Sequence, residues 1–164
     1  MISSDWSCAD ICDAKGDDGV LYPDSFPFRH FSKCSKFFGQ IRTVSCFEDN
    51  SRVKEILATE GKGYVLVVDG QASQKRALLG DLIAGSAVTN NWSGVLINGA
   101  IRDAHAVSMM EHLGVVALGT NPRKSERKGQ GLVDVDVTFN EVTFRPADWI
   151  YVDTDGFIVS RSKL

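Results

Sequence analysis

The run "GYVLVVDG" at 63–70 constrains the fold more than any other stretch of this chain. Its apolar residues follow one another without a polar alternate, so a strand built from them has no face suited to water. Strands of that kind sit inside parallel sheets covered on both sides. "GVLINGAIRD" at 94–103 supplies a second, with Gly94-Val95-Leu96-Ile97 as its apolar part. Parallel neighbours need a crossover between them. "GDLIAGSAVTNNW" at 80–92 reads as the helix that provides it, starting at Gly80-Asp81.

The same reading extends in both directions. Residues 5–14 (DWSCADICDA) have helical spacing, and a loop rich in Asp, Gly and Pro runs on to Pro27. "FFGQIRTVSCF" at 37–47 alternates as a strand does. Asn50 is placed to cap a helix through Thr59 that Gly61 ends. A helix over 103–113 and a strand over 115–118 follow the second apolar run. Beyond them the pattern changes to strands alone, at 133–139, 142–145 and 149–160, the last a hairpin turning at "TDG" (154–156). Alternating helices and strands followed by strands predict a mixed α/β fold, a central sheet or barrel flanked by helices, rather than a purely parallel Rossmann sheet. The glycine spacing of a dinucleotide-binding turn is missing after 63–70, and so is a phosphate-loop lysine.

A chain of 164 residues fits a single domain, 1–164, and 43% hydrophobic against 24% charged residues sets it among globular rather than disordered sequences. A net charge of −3 argues against a general nucleic-acid binder. No apolar run is long enough to span a bilayer, so a soluble protein is expected. Cys8, Cys12, Cys34 and Cys46 form neither a C-x-x-C pair nor a zinc-type cluster with His, and no signal peptide precedes them. Reduced thiols are expected. Ser162-Lys163-Leu164 has the form of a peroxisomal address, which places the protein in a peroxisome or glycosome if the tail is exposed, and otherwise in the cytoplasm.

Three polar features fall where α/β sheets place ligands, at strand carboxyl ends or helix starts: Asp69-Gly70, Gly80 to Ile83, and Arg102-Asp103. A helix starting at Asp81 turns the amides of Leu82, Ile83 and Ala84 outward, and Gly80 lets an anion approach them. The plainer reading is that Asp81 caps its own helix, and that Asp103 does the same for the next one while Arg102 reaches solvent. Arg102 shifts the balance, because a guanidinium matches a carboxylate bidentately. Asp103 is a hard oxygen ligand of the kind Mg²⁺ or Mn²⁺ takes. Together these groups suit an α-keto acid, its carboxylate on Arg102 and the amides and its keto oxygen on the metal, which acts as a Lewis acid for the enolate left when a C–C bond breaks.

"GQIRTVSCFEDN", "GYVLVVDG", "GDLIA", "GVLINGAIRD" and "YVDTDGFIVS", in that order over 37–160, resemble the RraA (regulator of ribonuclease activity A) family and its aldolase-like relatives. The resemblance implies a swivelling β/β/α-type domain that assembles as a homotrimer or a dimer of trimers. It also implies one of two functions. The first is a divalent-metal-dependent aldolase that cleaves 4-hydroxy-4-methyl-2-oxoglutarate (HMG) and decarboxylates oxaloacetate. The second is a non-catalytic regulator that binds a protein partner such as a ribonuclease. The aldolase branch carries an Asp, twenty residues, then Arg-Asp; here Asp81 is followed by 82–101 and then by Arg102 and Asp103. By resemblance Gly80, Asp81, Leu82, Ile83 and Arg102 contact the substrate, Asp103 holds the metal, and Asp81 orients metal-bound water, as a base or as a ligand.

Two departures stand out. Ala106 lies where aldolase-branch members often carry an acid, and no residue of this sequence is assigned to the acidic side chain that larger members bring from a longer C-terminal region of a neighbouring subunit. His105 and His112 would share a helical face, as solvent or interface residues. His30 falls in a loop. "RKSERK" (123–128) reads as a solvated loop, or else as a flap or steering element for dianionic substrates. Glu48-Asp49-Asn50 is explained by helix capping, and Met109-Met110 by packing.

Overall fold

The computed structural model describes residues 4–164. In chain order the elements begin with α1 (Cys8–Lys15), β1 (Val20–Leu21), β2 (Arg29–His30), β3 (Phe37–Ser45), α2 (Ser51–Leu57) and β4 (Tyr64–Asp69). Next come β5 (Ala77–Leu79), α3 (Asp81–Thr89), β6 (Gly94–Ile101), α4 (Ala104–Ser108) and β7 (Gly114–Thr120). The chain ends with β8 (Leu132–Val133), β9 (Val137–Phe139), β10 (Val142–Phe144), β11 (Trp149–Val152) and β12 (Phe157–Ser160).

The two apolar runs are β4 and β6, and they pair in parallel, Val65 opposite Gly94 through Asp69 opposite Asn98. β3 and β7 flank them, also in parallel. Antiparallel strands finish both edges, β11, β12 and β1 beyond β3, and β2 beyond β7. The mixed α/β fold with a curled central sheet and flanking helices is therefore as expected.

Side-chain alternation along β4 explains why that run has no polar face. Leu66 and Val68 enter a core beneath the helices with Val53, Leu57, Ala84, Ala87 and Trp92. Val65 and Val67 point the other way, into a core with Phe37, Ile41, Phe144, Ile150 and Phe157. The β9–β10 hairpin contributes Val137, Phe139 and Phe144 to that second core. A third, smaller cluster holds α1 against the outer sheet through Trp6, Ile11, Tyr151 and Ile158.

Gly94 and Gly114 face each other across β6 and β7, and the Phe37 ring lies on both. A Cβ built on Gly114 would sit 2.1 Å from that ring. Gly114→Ala is therefore expected to lower the unfolding free energy by about 1–3 kcal/mol through forced repacking. Chemical denaturation checks this, and an unchanged midpoint would show that the ring can yield.

Several expectations needed correcting. The predicted helix over 103–113 stops at Ser108. The Met110 carbonyl accepts the Lys33 amide, and Gly114 N–H donates to Ser93, so the chain is drawn into the sheet. His105 and His112 consequently share no helix. The predicted strand 133–139 is two strands broken at Asp134, which has a left-handed backbone (φ 55°) and forms a bidentate ion pair with Arg42. His30 lies in β2 rather than a loop, with Nε2 2.8 Å from the Asp153 carbonyl. β5 had no counterpart in the sequence reading, because three residues carry too little pattern; all three are buried. The hairpin turning at 154–156 is as expected.

Candidate functional site

β5 decides where the site lies. It pairs with the last part of β6, Ala77 opposite Ala100 and Leu79 opposite Ile101. The Arg102 amide donates to the Leu79 carbonyl at 2.9 Å, so the end of β6 is tied to the residue just before Gly80. In this way two segments twenty residues apart meet at one point. Gly80, Asp81, Leu82, Ile83, Arg102 and Asp103 all line a single shallow cleft. Asp69, the first strand-end candidate, does not belong to it; its Oδ1 accepts the Asn98 side-chain amide and the Gln71 N–H, a structural pairing.

Asp103 stands at the start of α4 but does not cap it. Its backbone is left-handed, φ 57° and ψ 39°, an uncommon state for a residue with a Cβ. The carboxylate reaches across to α3 instead, where Oδ2 accepts the Asp81 amide at 3.1 Å. A negative charge at that helix start is favoured by the helix dipole. The plain capping reading of Asp103 is thereby overturned.

Only glycine permits this arrangement at position 80. A Cβ there would lie 2.6 Å from Asp103 Oδ2 and 3.3 Å from both Cγ and Nε of Arg102. The Arg102 guanidinium is half-buried, with Nε 3.9 Å from Asp103 Oδ2, too long for a hydrogen bond. Among the described residues no carboxylate hydrogen-bonds to its fork, which is left free to meet a ligand.

The expected set of free amides is smaller than the sequence suggested. Ala84 N–H already donates to the Gly80 carbonyl at 2.9 Å, and Leu82 N–H donates to Oδ1 of Asp81 at 2.8 Å. With the Asp81 amide on Asp103, the amide of Ile83 alone among these is left without a partner in the described residues. Leu82 is 84% exposed at the cleft mouth.

The rest of the lining comes largely from the basic stretch 123–128, for which a flap or steering element was the alternative to a solvated loop, and from Asn50 beside α2. Asn50, Lys124, Ser125 and Arg127 complete the cleft wall. The basic stretch 123–128 is therefore no free solvated loop. The Ser125 hydroxyl donates to the Ala77 carbonyl at 2.8 Å, and the Ala77 amide donates to the Arg123 carbonyl at 2.8 Å. Asn50 occupies the expected cap position of α2 but makes no side-chain cap; its Oδ1 accepts Nε of Arg127 at 3.2 Å. Capping falls to Asp49, whose Oδ1 accepts the amide and hydroxyl of Ser51 while Oδ2 accepts the amides of Lys128 and Gln130. Burial pushes the Asp49 carboxyl up, but these hydrogen bonds outweigh it and hold the group below the usual carboxylate range. The sequence signal for this wall was the density of basic residues, which fitted a flap or steering element as well as a solvated loop and did not choose between them.

A divalent cation can be tested against the donor set. Among the described residues no group of three or more His, Cys, Asp or Glu side chains converges as a metal cage. A structural zinc site is therefore a poor fit. Mg²⁺ and Mn²⁺ need only one or two carboxylates with waters completing the shell. Among the described residues Asp103 keeps Oδ1 without a hydrogen-bond partner and Asp81 keeps Oδ2, so these two carboxylates offer the kind of donors such an ion takes. Ala106 is exposed on α4 and does not line the cleft.

Fold and cleft together describe an α/β protein whose cleft lies at the carboxyl ends of parallel strands, where such sheets place ligands. The chain belongs to the RraA-like family, matching the description "Aldolase/RraA" over residues 8–159. It is 53% identical over 147 residues to an Acinetobacter baylyi protein named "Putative 4-hydroxy-4-methyl-2-oxoglutarate aldolase", covering 88% of this chain and 86% of that one. A crystal structure of a Geobacillus kaustophilus protein titled S-adenosylmethionine: 2-dimethylmenaquinone methyltransferase superposes with a TM-score of 0.93 at 40% identity, over 97% of each chain. The RNA-processing inhibitor RraA from Thermus thermophilis superposes with a TM-score of 0.90 at 33% identity, over 100% of this chain and 96% of that one. These names differ in activity, so the cleft must decide the chemistry.

Proposed function

We propose that this protein is a divalent-metal-dependent lyase that cleaves pyruvate-containing keto acids, acting as an HMG aldolase and an oxaloacetate decarboxylase. One observation carries the reading: Asp103 leaves its own helix uncapped and turns its carboxylate to the start of α3, beside the fork of Arg102, to which no carboxylate of the described residues hydrogen-bonds. The name borne by the Acinetobacter baylyi relative is in keeping with it.

In this mechanism Arg102 binds the substrate carboxylate through its fork, with the Ile83 amide as a further donor. Asp103, with Asp81 near it, would hold Mg²⁺ or Mn²⁺, which supplies Lewis-acid withdrawal of charge from the keto group when bound. Asp81, through a water, takes the proton from the C4 hydroxyl of HMG. The C3–C4 bond then breaks, its electron pair passing to C3 to give the enolate of one pyruvate while C4 becomes the carbonyl of the other. A proton returned to C3 completes the second pyruvate. With oxaloacetate the bond to the distal carboxyl breaks instead, CO₂ leaves, and C3 takes up one proton.

The homotrimer, or pair of trimers, is part of the proposal, and the exposed Leu82 beside the cleft is the kind of surface a neighbouring copy would cover. No helix among the described residues is long and apolar enough to cross a membrane. The proposal keeps a cytoplasmic location over a peroxisomal one. The relatives described above are bacterial.

The test is pyruvate release from HMG and from oxaloacetate with Mg²⁺ or Mn²⁺, and again with EDTA. Turnover that EDTA removes is expected. A folded protein that releases no pyruvate from either compound would end the aldolase reading, and the inhibitor role printed for the Thermus relative would take its place.

A further inference from the structure

The proposed reaction needs one guanidinium for a pyruvate-type carboxylate, yet the cleft is lined by three cationic side chains, Arg102, Lys124 and Arg127, against the two carboxylates Asp81 and Asp103. The pattern of ion pairing around 123–128 makes the surplus specific. Glu126 pairs with Arg76 at 3.2 Å and with Lys128 at 3.1 Å, and neither of those cations lines this cleft. Lys124 and Arg127, which do line it, have no acidic partner among the described residues. The local acid thus neutralises the basic groups facing elsewhere and leaves bare those facing the cleft.

Arg127 is also held in place, which exposed arginines rarely are. Its Nε donates to Oδ1 of Asn50, a residue only 6% exposed, and this leaves both terminal nitrogens free. The backbone is anchored on each side of it. Ser125 bonds to Ala77 before it, and the amides of Lys128 and Gln130 bond to the buried Asp49 after it. A further bond runs from the Gly129 amide to the Ser51 hydroxyl at 3.0 Å. An arginine fixed at Nε, with a free planar end, is arranged to grip an oxyanion with little ordering cost.

We infer that Arg127 binds a second carboxylate of the substrate, assisted by Lys124, so that the site selects dicarboxylic keto acids whose carboxyls end a four- or five-carbon chain, as in oxaloacetate and HMG, over monocarboxylic ones. This rests on the proposed reading of the cleft as a keto-acid site. Arg127 is a specificity-determining residue here, positioned by Asn50 and by the loop that Asp49 anchors.

Malate and lactate separate the effect from catalysis, since both carry a 2-hydroxy carboxylate and only malate has a distal one. With Mg²⁺ present, calorimetric titration of the wild type should show malate bound tighter than lactate by about tenfold or more, the size expected of one charge-assisted contact. Arg127→Ala and Arg127→Gln should remove that preference while leaving lactate affinity unchanged. Arg123→Ala, which removes a nearby charge that does not line the cleft, should leave the preference intact. No preference in the wild type, or a preference that survives both Arg127 substitutions, overturns the inference. Equal loss in Arg123→Ala would also overturn it, by showing general attraction rather than a grip. A wild type that prefers malate through Arg127 yet releases no pyruvate would remove the aldolase reading and keep this one.

Discussion

Asp103→Asn is expected to lower pyruvate release from HMG and oxaloacetate by a factor on the order of 10³, about 4 kcal/mol in the barrier, with little change in stability. The substitution separates charge from shape. Asn tolerates a left-handed backbone about as well as Asp does, so the φ of 57° at this position is kept. The side-chain oxygen of Asn also accepts a hydrogen bond, so the Asp81 amide keeps a partner. What disappears is the negative charge at the point where a divalent cation would sit and where the start of α3 meets the cleft. Steady-state rates, a thermal melt and Mn²⁺ binding followed by electron paramagnetic resonance check all three parts. A variant that binds Mn²⁺ and turns over within tenfold of the wild type would remove Asp103 from the metal-holding role.

Gly80→Ala should cost about 10² in kcat/KM and again leave the melting temperature nearly unchanged. The backbone at Gly80 is extended, φ −134° and ψ −170°, a conformation any residue adopts, so the substitution adds no local strain. Its whole effect comes from the methyl group, which would stand 2.6 Å from Asp103 Oδ2 and 3.3 Å from the Arg102 side chain. Both groups would have to retreat from the start of α3, and a misplacement near 1 Å costs about that much in rate. The loss should appear in the rate and in pyruvate inhibition together, because Arg102 is displaced with Asp103. An Ala variant with wild-type kinetics would show that the close packing at Gly80 has no part in catalysis.

The local order of elements was readable in the chain because it depends on neighbours in sequence. Val65 to Val68 carry no polar alternate, and the strand they form is buried on both faces as such a run requires. The helix beginning at Asp81 and the late hairpin followed from equally local signals. Errors arose where a distant partner set the outcome. The helix after Asp103 ended early because Lys33 and Ser93 draw the following residues into the sheet, and the strand over 133–139 broke where Arg42 holds Asp134. Neither partner is visible from the segment itself.

The cleft divides in the same way. The spacing of Asp81, Arg102 and Asp103, and the chemistry these side chains offer, were set by the sequence alone, since residue identity decides charge, hydrogen-bonding capacity and the absence of a Cβ at Gly80. Their meeting depended on β5, three residues whose pairing with β6 brings Leu79 to Arg102. The direction of the Asp103 carboxylate depended on a backbone angle at one residue. The recruitment of Asn50 and Arg127 depended on a loop anchored through Asp49, about eighty residues away in the chain. These are long-range contacts, and their geometry is fixed by packing and hydrogen bonding that exist only once the sheet has closed.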